Sequence, residues 1–246
     1  MAVYPNLPKA PITEALIDFR TKVKDGFDVN LFQSLHESIK DKYPEKRQQK
    51  KADVKVELKS QGPSVIRSSD AVNGYFFTSA DKRQIFQVKL DGFTFNRLKP
   101  YENWELFREE AHRLWQLYKE IASPDIIRVA VRYINRFNVP LPIKDFNEYL
   151  TAAPTVPPEL PQGVMSFLSR VVIADPEIDA TVTITQVLEQ MAEPTSVPII
   201  LDIDAYRLNR DRISEVEAWA LLEKLHDFKN KVFFSSITNK AMELFQ

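Results

Sequence analysis

A chain of 246 residues with 44% hydrophobic and 27% charged side chains has enough apolar surface for one large core or two small ones, which excludes global disorder. With 33 Lys and Arg against 34 Asp and Glu, no overall field draws it onto nucleic acid or an anionic membrane, and any such binding needs a local patch. The absence of cysteine removes disulfide frameworks, thiolate nucleophiles and thiolate-held zinc or iron–sulfur sites.

The opening MAVYPNLPKAPITEAL has no basic stretch leading into an apolar one, and a run of about 18 apolar residues occurs nowhere. Together with the missing cysteines, this predicts a cytoplasmic protein without a membrane partner. The five glycines, Gly26, Gly62, Gly74, Gly92 and Gly163, are single and dispersed. Dinucleotide and P-loop sites need clustered glycines so that backbone amides can approach phosphate. HExxH and G-x-S-x-G are absent, and His36, His112 and His226 fall far apart on predicted helices, so metalloprotease and α/β-hydrolase chemistry lack their markers. The residues call for no cofactor, no metal and no catalytic set.

In chain order, residues 12–24 alternate as a strand, and 29–39 show helical spacing at Leu31, Leu35 and Ile39. The basic run at 45–51 interrupts the pattern as a solvated loop. Val54, Val56 and Leu58 then alternate with Lys55, Glu57 and Lys59, as in a half-buried strand. Further strands are predicted at 72–79, 84–90 and 93–98, the last two joined at Asp91-Gly92, a two-residue hairpin signal. Asn103 caps a helix whose apolar stripe is Trp104, Phe107, Ala111, Leu114, Trp115, Tyr118 and Ile121. Pro124 ends it. A long strand over 127–139 should turn Ile127, Val129, Val131, Tyr133 and Phe137 to the core.

Prolines 140, 142, 154, 157, 158 and 161 mark an internal boundary, with a short helix at 144–150. Strands at 164–174, 180–190 and 197–208 follow. The capping box Ser214-x-x-Glu217 then opens a helix that buries Leu221, Leu222, Leu225 and Phe228. A final strand at 232–237 precedes an amphipathic tail, where Phe245 offers a homodimer contact. Grouped strands and sparse helices predict a single α+β domain over 1–246 with a large, mainly antiparallel sheet covered by a few amphipathic helices. Two related halves, 1–139 and 163–246, joined by the proline-rich segment 140–162, are compatible with this order, although no repeat is visible.

Ala10-Pro11-Ile12 with Glu14, the stretch from Arg97 to Trp104 (RLKPYENW), Arg132-Tyr133-Ile134-Asn135, Leu201-Asp202-Ile203-Asp204, and Lys229-Asn230 with Phe233-Phe234 and Thr238 together resemble a sporadically distributed family of uncharacterised prokaryotic proteins. The resemblance spans nearly the whole chain and implies one fold unit. It brings no activity and no catalytic residues.

Arg128, Arg132 and Arg136 lie on one strand face, with successive stems about 13 Å apart. Guanidinium forks suit carboxylate and phosphate. We therefore expect an anion-recognition set of Arg97, Lys99, Arg132, Asn135 and Arg136, with Asp202 and Asp204 as orienting partners or counter-charges. The alternative for the arginines is pairing with acids on neighbouring strands, among them Asp202, Asp204, Glu14 and Asp18. The expected function is a non-enzymatic binding or regulatory protein that meets an anionic or protein partner through a charged sheet face. Two other readings stay open. Asp202 and Asp204 on one strand face suit a divalent ion in an enzyme acting on a nucleotide or phosphate ester. The basic stretch 46–59 suits nucleic acid, though it lacks the interleaved aromatics of single-strand readers.

Overall fold

Long stretches of period-two alternation give this chain a sheet with one face to cover. The computed structural model describes residues 4–5, 7–59, 62–189 and 195–246, with 51–59, 62–70 and 210 described by backbone alone. Its strands are β1 (Ile12–Lys22), β2 (Glu45–Lys59), β3 (Gly62–Thr78), β4 (Gln84–Lys89), β5 (Gly92–Leu98), β6 (Asp125–Pro140), β7 (Phe167–Asp175), β8 (Ala180–Leu188) and β9 (Ser196–Ile213). Its helices are α1 (Leu35–Ile39), α2 (Trp104–Ala122), α3 (Glu215–Ser236) and α4 (Asn239–Glu243), with 3₁₀ turns at Val29–Ser34 and Phe146–Glu148.

The strands form one nine-stranded sheet in the order β2-β3-β4-β5-β1-β6-β9-β8-β7, antiparallel at every described pairing. This is an α+β architecture. Connection order is the same on both sides of the β1–β6 centre line. A central strand crosses to the sheet edge, a meander returns beside it, and a long helix follows. The sheet runs through both segments that flank the prolines.

One face is dry. Ala15, Ile17 and Phe19 of β1 face it between Phe93 and Phe95 of β5 and Val129, Val131 and Tyr133 of β6. The Phe19 ring meets Trp115 of α2 at 4.8 Å and Trp219 of α3 at 5.4 Å, both edge-on, so one β1 side chain ties both helices to the sheet. Helix α2 begins where Asn103 accepts a hydrogen bond from the Leu106 amide and buries the predicted stripe as far as Tyr118. Ala122 rather than Ile121 closes it. Ser214 caps α3 by accepting from the Glu217 amide. No described helix is long and apolar enough to cross a membrane.

Several elements differ from the sequence reading. Residues 45–50 are the exposed start of β2, not a loop; pairing with the long β3 carries the strand through the charged run. The alternation expected at Val54, Val56 and Leu58 concerns side chains outside the described residues. Segment 29–39 is a 3₁₀ turn followed by α1, and Phe32 faces the core while Leu31 is exposed, because the tighter turn advances the buried position by one residue. The short helix expected at 144–150 is the 3₁₀ turn at Phe146–Glu148. Residues 232–236 continue α3: Val232, Phe233 and Ser236 extend the helical stripe from Leu225, and only Ile237 makes a bridge, to Leu150. Phe245 is buried against Phe137 and Phe233, so it presents no dimer contact.

The β4–β5 hairpin turns at Leu90-Asp91, with Lys89 opposite Gly92. Gly92 serves a close approach instead: a Cβ there would lie 2.7 Å from the Phe19 carbonyl oxygen. Gly92→Ala should therefore push β5 from β1 and cost about 2 kcal/mol or more. Gly163→Ala, with nothing within 4 Å of the added carbon, should be near neutral. Urea denaturation of both variants checks this, and an unperturbed Gly92→Ala midpoint would contradict it.

Candidate functional site

The wet face of the sheet carries the charges expected of it, and they are paired. Arg128 donates from Nη1 to Asp18 at 3.0 Å and from Nη2 to both oxygens of Asp204 at 2.9 and 3.1 Å. Its guanidinium lies 4.5 Å from the Tyr206 ring centre. Arg132 grips Asp202 with Nε at 2.8 Å and Nη2 at 2.5 Å, and Arg136 donates to Glu189 at 2.9 Å. The network continues sideways: Thr94 donates to Asp18, Asn96 to Glu14, and Gln87 to Asn96. Burial raises the Asp204 carboxyl above its ordinary value, while the Arg128 and Arg132 charges oppose this.

Asp202 and Asp204 each present both oxygens to a guanidinium, so a divalent ion here would share these carboxylates with arginine. Among the described residues, no group of three or more His, Asp or Glu side chains has metal-holding geometry. In the basic stretch, Lys46, Arg47 and Lys50 are exposed on β2, and the side chains of Lys51, Lys55 and Lys59 lie outside the described residues.

The other three expected residues leave this face. Arg97 shares the dry face with Phe93 and Phe95 and is buried, donating to Glu102 at 2.5 Å. Asn135 is 2% exposed, and its amide donates to the Leu201 carbonyl at 3.0 Å. Asn135 and the exposed Lys99 line a cleft of about 940 Å³, bounded by residues 4–5 and 7–12, the 99–105 turn and α3.

Helical spacing puts His226, Lys229, Asn230, Phe233 and Phe234 on the α3 wall of this cleft. Tyr101 and Trp104 form the facing wall. Tyr133, beneath them, shares a hydrogen bond of 2.7 Å with the Tyr101 hydroxyl. The His226 ring stacks on Trp104 at 4.1 Å with planes 4° apart, and the indole N–H donates to Glu223 at 2.9 Å. Tyr4 stacks on Phe234 at 4.8 Å. These walls are aromatic and held by their neighbours.

Lys229 lies at the floor. It is 6% exposed, its Nζ is 3.7 Å from the Tyr133 ring centre, and it donates to Asn230 Oδ1 at 2.5 Å. No described carboxylate lies within 4.0 Å of Nζ. Burial pushes the amine down to about 7, with Asp227 pulling weakly the other way. Burial, and then the Lys229 charge, push His226 down to about 3, so this imidazole is neutral at physiological pH. Burial raises the Tyr101 and Tyr133 hydroxyls, which keeps both as phenols. Lys229 thus changes charge near neutrality.

Sequence reasoning placed Trp104 and Tyr133 in the core, met Lys229 only within the family resemblance and His226 only as an isolated helical histidine, and gave neither a role in a site. The signal was a lysine four residues after Leu225 and four before Phe233, inside the buried stripe of α3. Reading 232–237 as a strand hid it. The chain matches no protein-family model and no curated protein.

An ordinary lysine titrates at 10.5, so between pH 7 and 10.5 the unfolded chain binds a proton that the folded chain does not. Stability therefore rises with pH across that window, and the cost of the buried ammonium is full below pH 7, on the order of 2–5 kcal/mol. Lys229→Met should be more stable than the unchanged protein at pH 7, with the gap closing towards pH 10. Urea midpoints at pH 7 and pH 10 test this; a less stable methionine variant at pH 7 would show that the ammonium is well compensated.

Proposed function

We propose that the protein is a binding protein for a small anionic ligand, a carboxylate or phosphate with an aromatic or apolar body, held in the cleft with Lys229 as its counter-charge. The observation that carries this reading is a cation nine-tenths buried without a carboxylate partner among the described residues. Such a group weakens a fold, and strongly perturbed groups concentrate where ligands or substrates bind. A concave site that sets aromatic and apolar side chains beside a few converging polar groups is the usual form of a small-molecule pocket. Part of the set that carries the family resemblance lines the cleft, namely residues 10–12, 99–104, Asn135, Lys229, Asn230, Phe233 and Phe234.

Recognition of an anion by the wet sheet face has weaker support. Its guanidinium groups already hold carboxylates, and an incoming anion would have to displace them. Among the described residues, Lys229 has no such competitor. The aromatic walls supply dispersion contacts and exclude water, which strengthens an ion pair at the floor.

An anion that needs protonated Lys229 takes up a proton on binding. Affinity should be full below pH 7 and weaken by up to about tenfold for each pH unit above it. Thermal shifts with a panel of aryl carboxylates and phosphate esters at pH 6 and pH 8 read this, because a ligand of the folded state raises the midpoint. Lys229→Met should abolish the shift while keeping or raising the basal midpoint. Shifts that survive this substitution, or that grow with pH, would count against the site.

A further inference from the structure

The floor of the cleft is suited to a cation that need not be an ammonium. Nζ of Lys229 has one described acceptor, Asn230 Oδ1 at 2.5 Å, and the π face of Tyr133 at 3.7 Å. An ammonium has three N–H donors to satisfy, whereas an iminium has one. One acceptor and one aromatic face are what an iminium requires. Lys229 is among the residues that line the cleft, and it is 6% exposed.

We propose that Lys229 captures a 2-oxo acid in this cleft as a protonated imine. This rests on the anion-binding reading above and adds the identity of the group next to the anion. In a 2-oxo acid, the carboxylate that pairs with the ammonium brings the adjacent carbonyl carbon beside the nitrogen. Lys229 releases one proton to solvent, its lone pair attacks that carbon as the C=O π bond breaks, and a second N–H proton passes to the carbonyl oxygen to make a hydroxyl. The resulting hydroxyl takes up a proton and leaves as water, and the nitrogen keeps one hydrogen and gains the C=N bond. An ammonium and a carbonyl thus become an iminium and one water, with no change of charge and no oxidant or reductant. The iminium restores the positive charge on the Tyr133 face and beside the carboxylate, so the product keeps the ion pair of the starting complex.

The neutral amine needed for attack is accessible because burial brings Lys229 to about 7. At pH 7 its neutral fraction exceeds that of an ordinary exposed lysine on the order of a thousandfold. The aromatic walls at Tyr101, Trp104 and Phe233 favour an aryl side chain. Phenylpyruvate is therefore the probe, and phenyllactate, with the same ring and carboxylate but no ketone, is its control.

The experiment incubates the protein with phenylpyruvate and sodium cyanoborohydride at pH 7 and maps reduced adducts by peptide mass spectrometry. We expect one adduct, on Lys229, formed at least a hundredfold faster than on Lys99 and suppressed by excess phenyllactate. Lys229→Arg, which keeps a cation, should give no adduct at that position. A phenyllactate thermal shift without a Lys229 adduct would overturn the imine and leave the anion site standing. Absence of both the shift and the adduct would overturn both readings. Equal labelling of Lys99 and Lys229 would also overturn the imine, since the cleft would then confer no reactivity.

Discussion

The antiparallel pairing of β1 with β6 is the constraint on which the rest of the molecule depends. It joins the strands of the first segment to those of the second, from Ile12 opposite Asn135 to Lys22 opposite Asp125. Period two then assigns every side chain of both strands to a face, and a slip of one residue would put Phe19, Val129 and Val131 in water. The register also places Phe19 under Trp115 and Trp219. A fully buried phenylalanine contributes about 1.5–3 kcal/mol through apolar burial, and edge-on aromatic contacts add about 0.5–1.5 kcal/mol. Holding both long helices through one side chain makes their relative position, and with it the cleft between the 99–105 turn and α3, a consequence of the strand pairing.

The same pairing creates the charged network on the opposite face. With Asp18 and Asp204 on the strands flanking Arg128, one guanidinium bridges two carboxylates at the centre of the sheet. Arg128 is 8% exposed, so the group is largely desolvated and its value lies in being complete. Removing one partner would strand the others, which is the expensive half of burying charge. Arg132 and Arg136 repeat the arrangement closer to solvent, where an ion pair is worth about 0–1 kcal/mol. The face reads as a sheet surface neutralised across its strands, and this fits a chain whose acidic and basic residues almost balance.

Much of the architecture was legible in the sequence because local and tertiary preferences agree there. The α2 stripe, its Asn103 cap, the Ser214 cap of α3, and the strands at β1, β4, β5, β6 and β8 follow from periodicity and capping chemistry alone. Where the reading failed, two preferences competed. VFFSSI has the β-branched and aromatic composition of a strand, yet Val232, Phe233 and Ser236 continue a stripe at helical spacing, and burial against the sheet decided the outcome. The charged run at 45–50 has poor strand character by itself and is held by pairing with β3. Asp91-Gly92 signalled a hairpin correctly, but the glycine is required by the neighbouring strand rather than by the turn. At the candidate site, Asn135 and Lys99 were expected as anion contacts beside Arg97, Arg132 and Arg136. Their association with Lys229 depends on α3 crossing over β6, which no local pattern encodes.

Lys229 is where the demands of the fold and of the site diverge most clearly. Position 229 belongs to the buried stripe of α3, between Leu225 and Phe233, where an apolar residue would satisfy every packing rule that placed its neighbours. A lysine there gives up hydration of its charge and regains only one amide oxygen and one aromatic face. Compensation by a carboxylate was available to the fold, which uses it for Arg97, Arg128, Arg132 and Arg136. Its absence at Lys229 alone among these buried or sheet-facing cations leaves burial to push the amine well below the ordinary lysine value. Stability is thus given up at one position while the means of recovering it is present elsewhere in the same sheet.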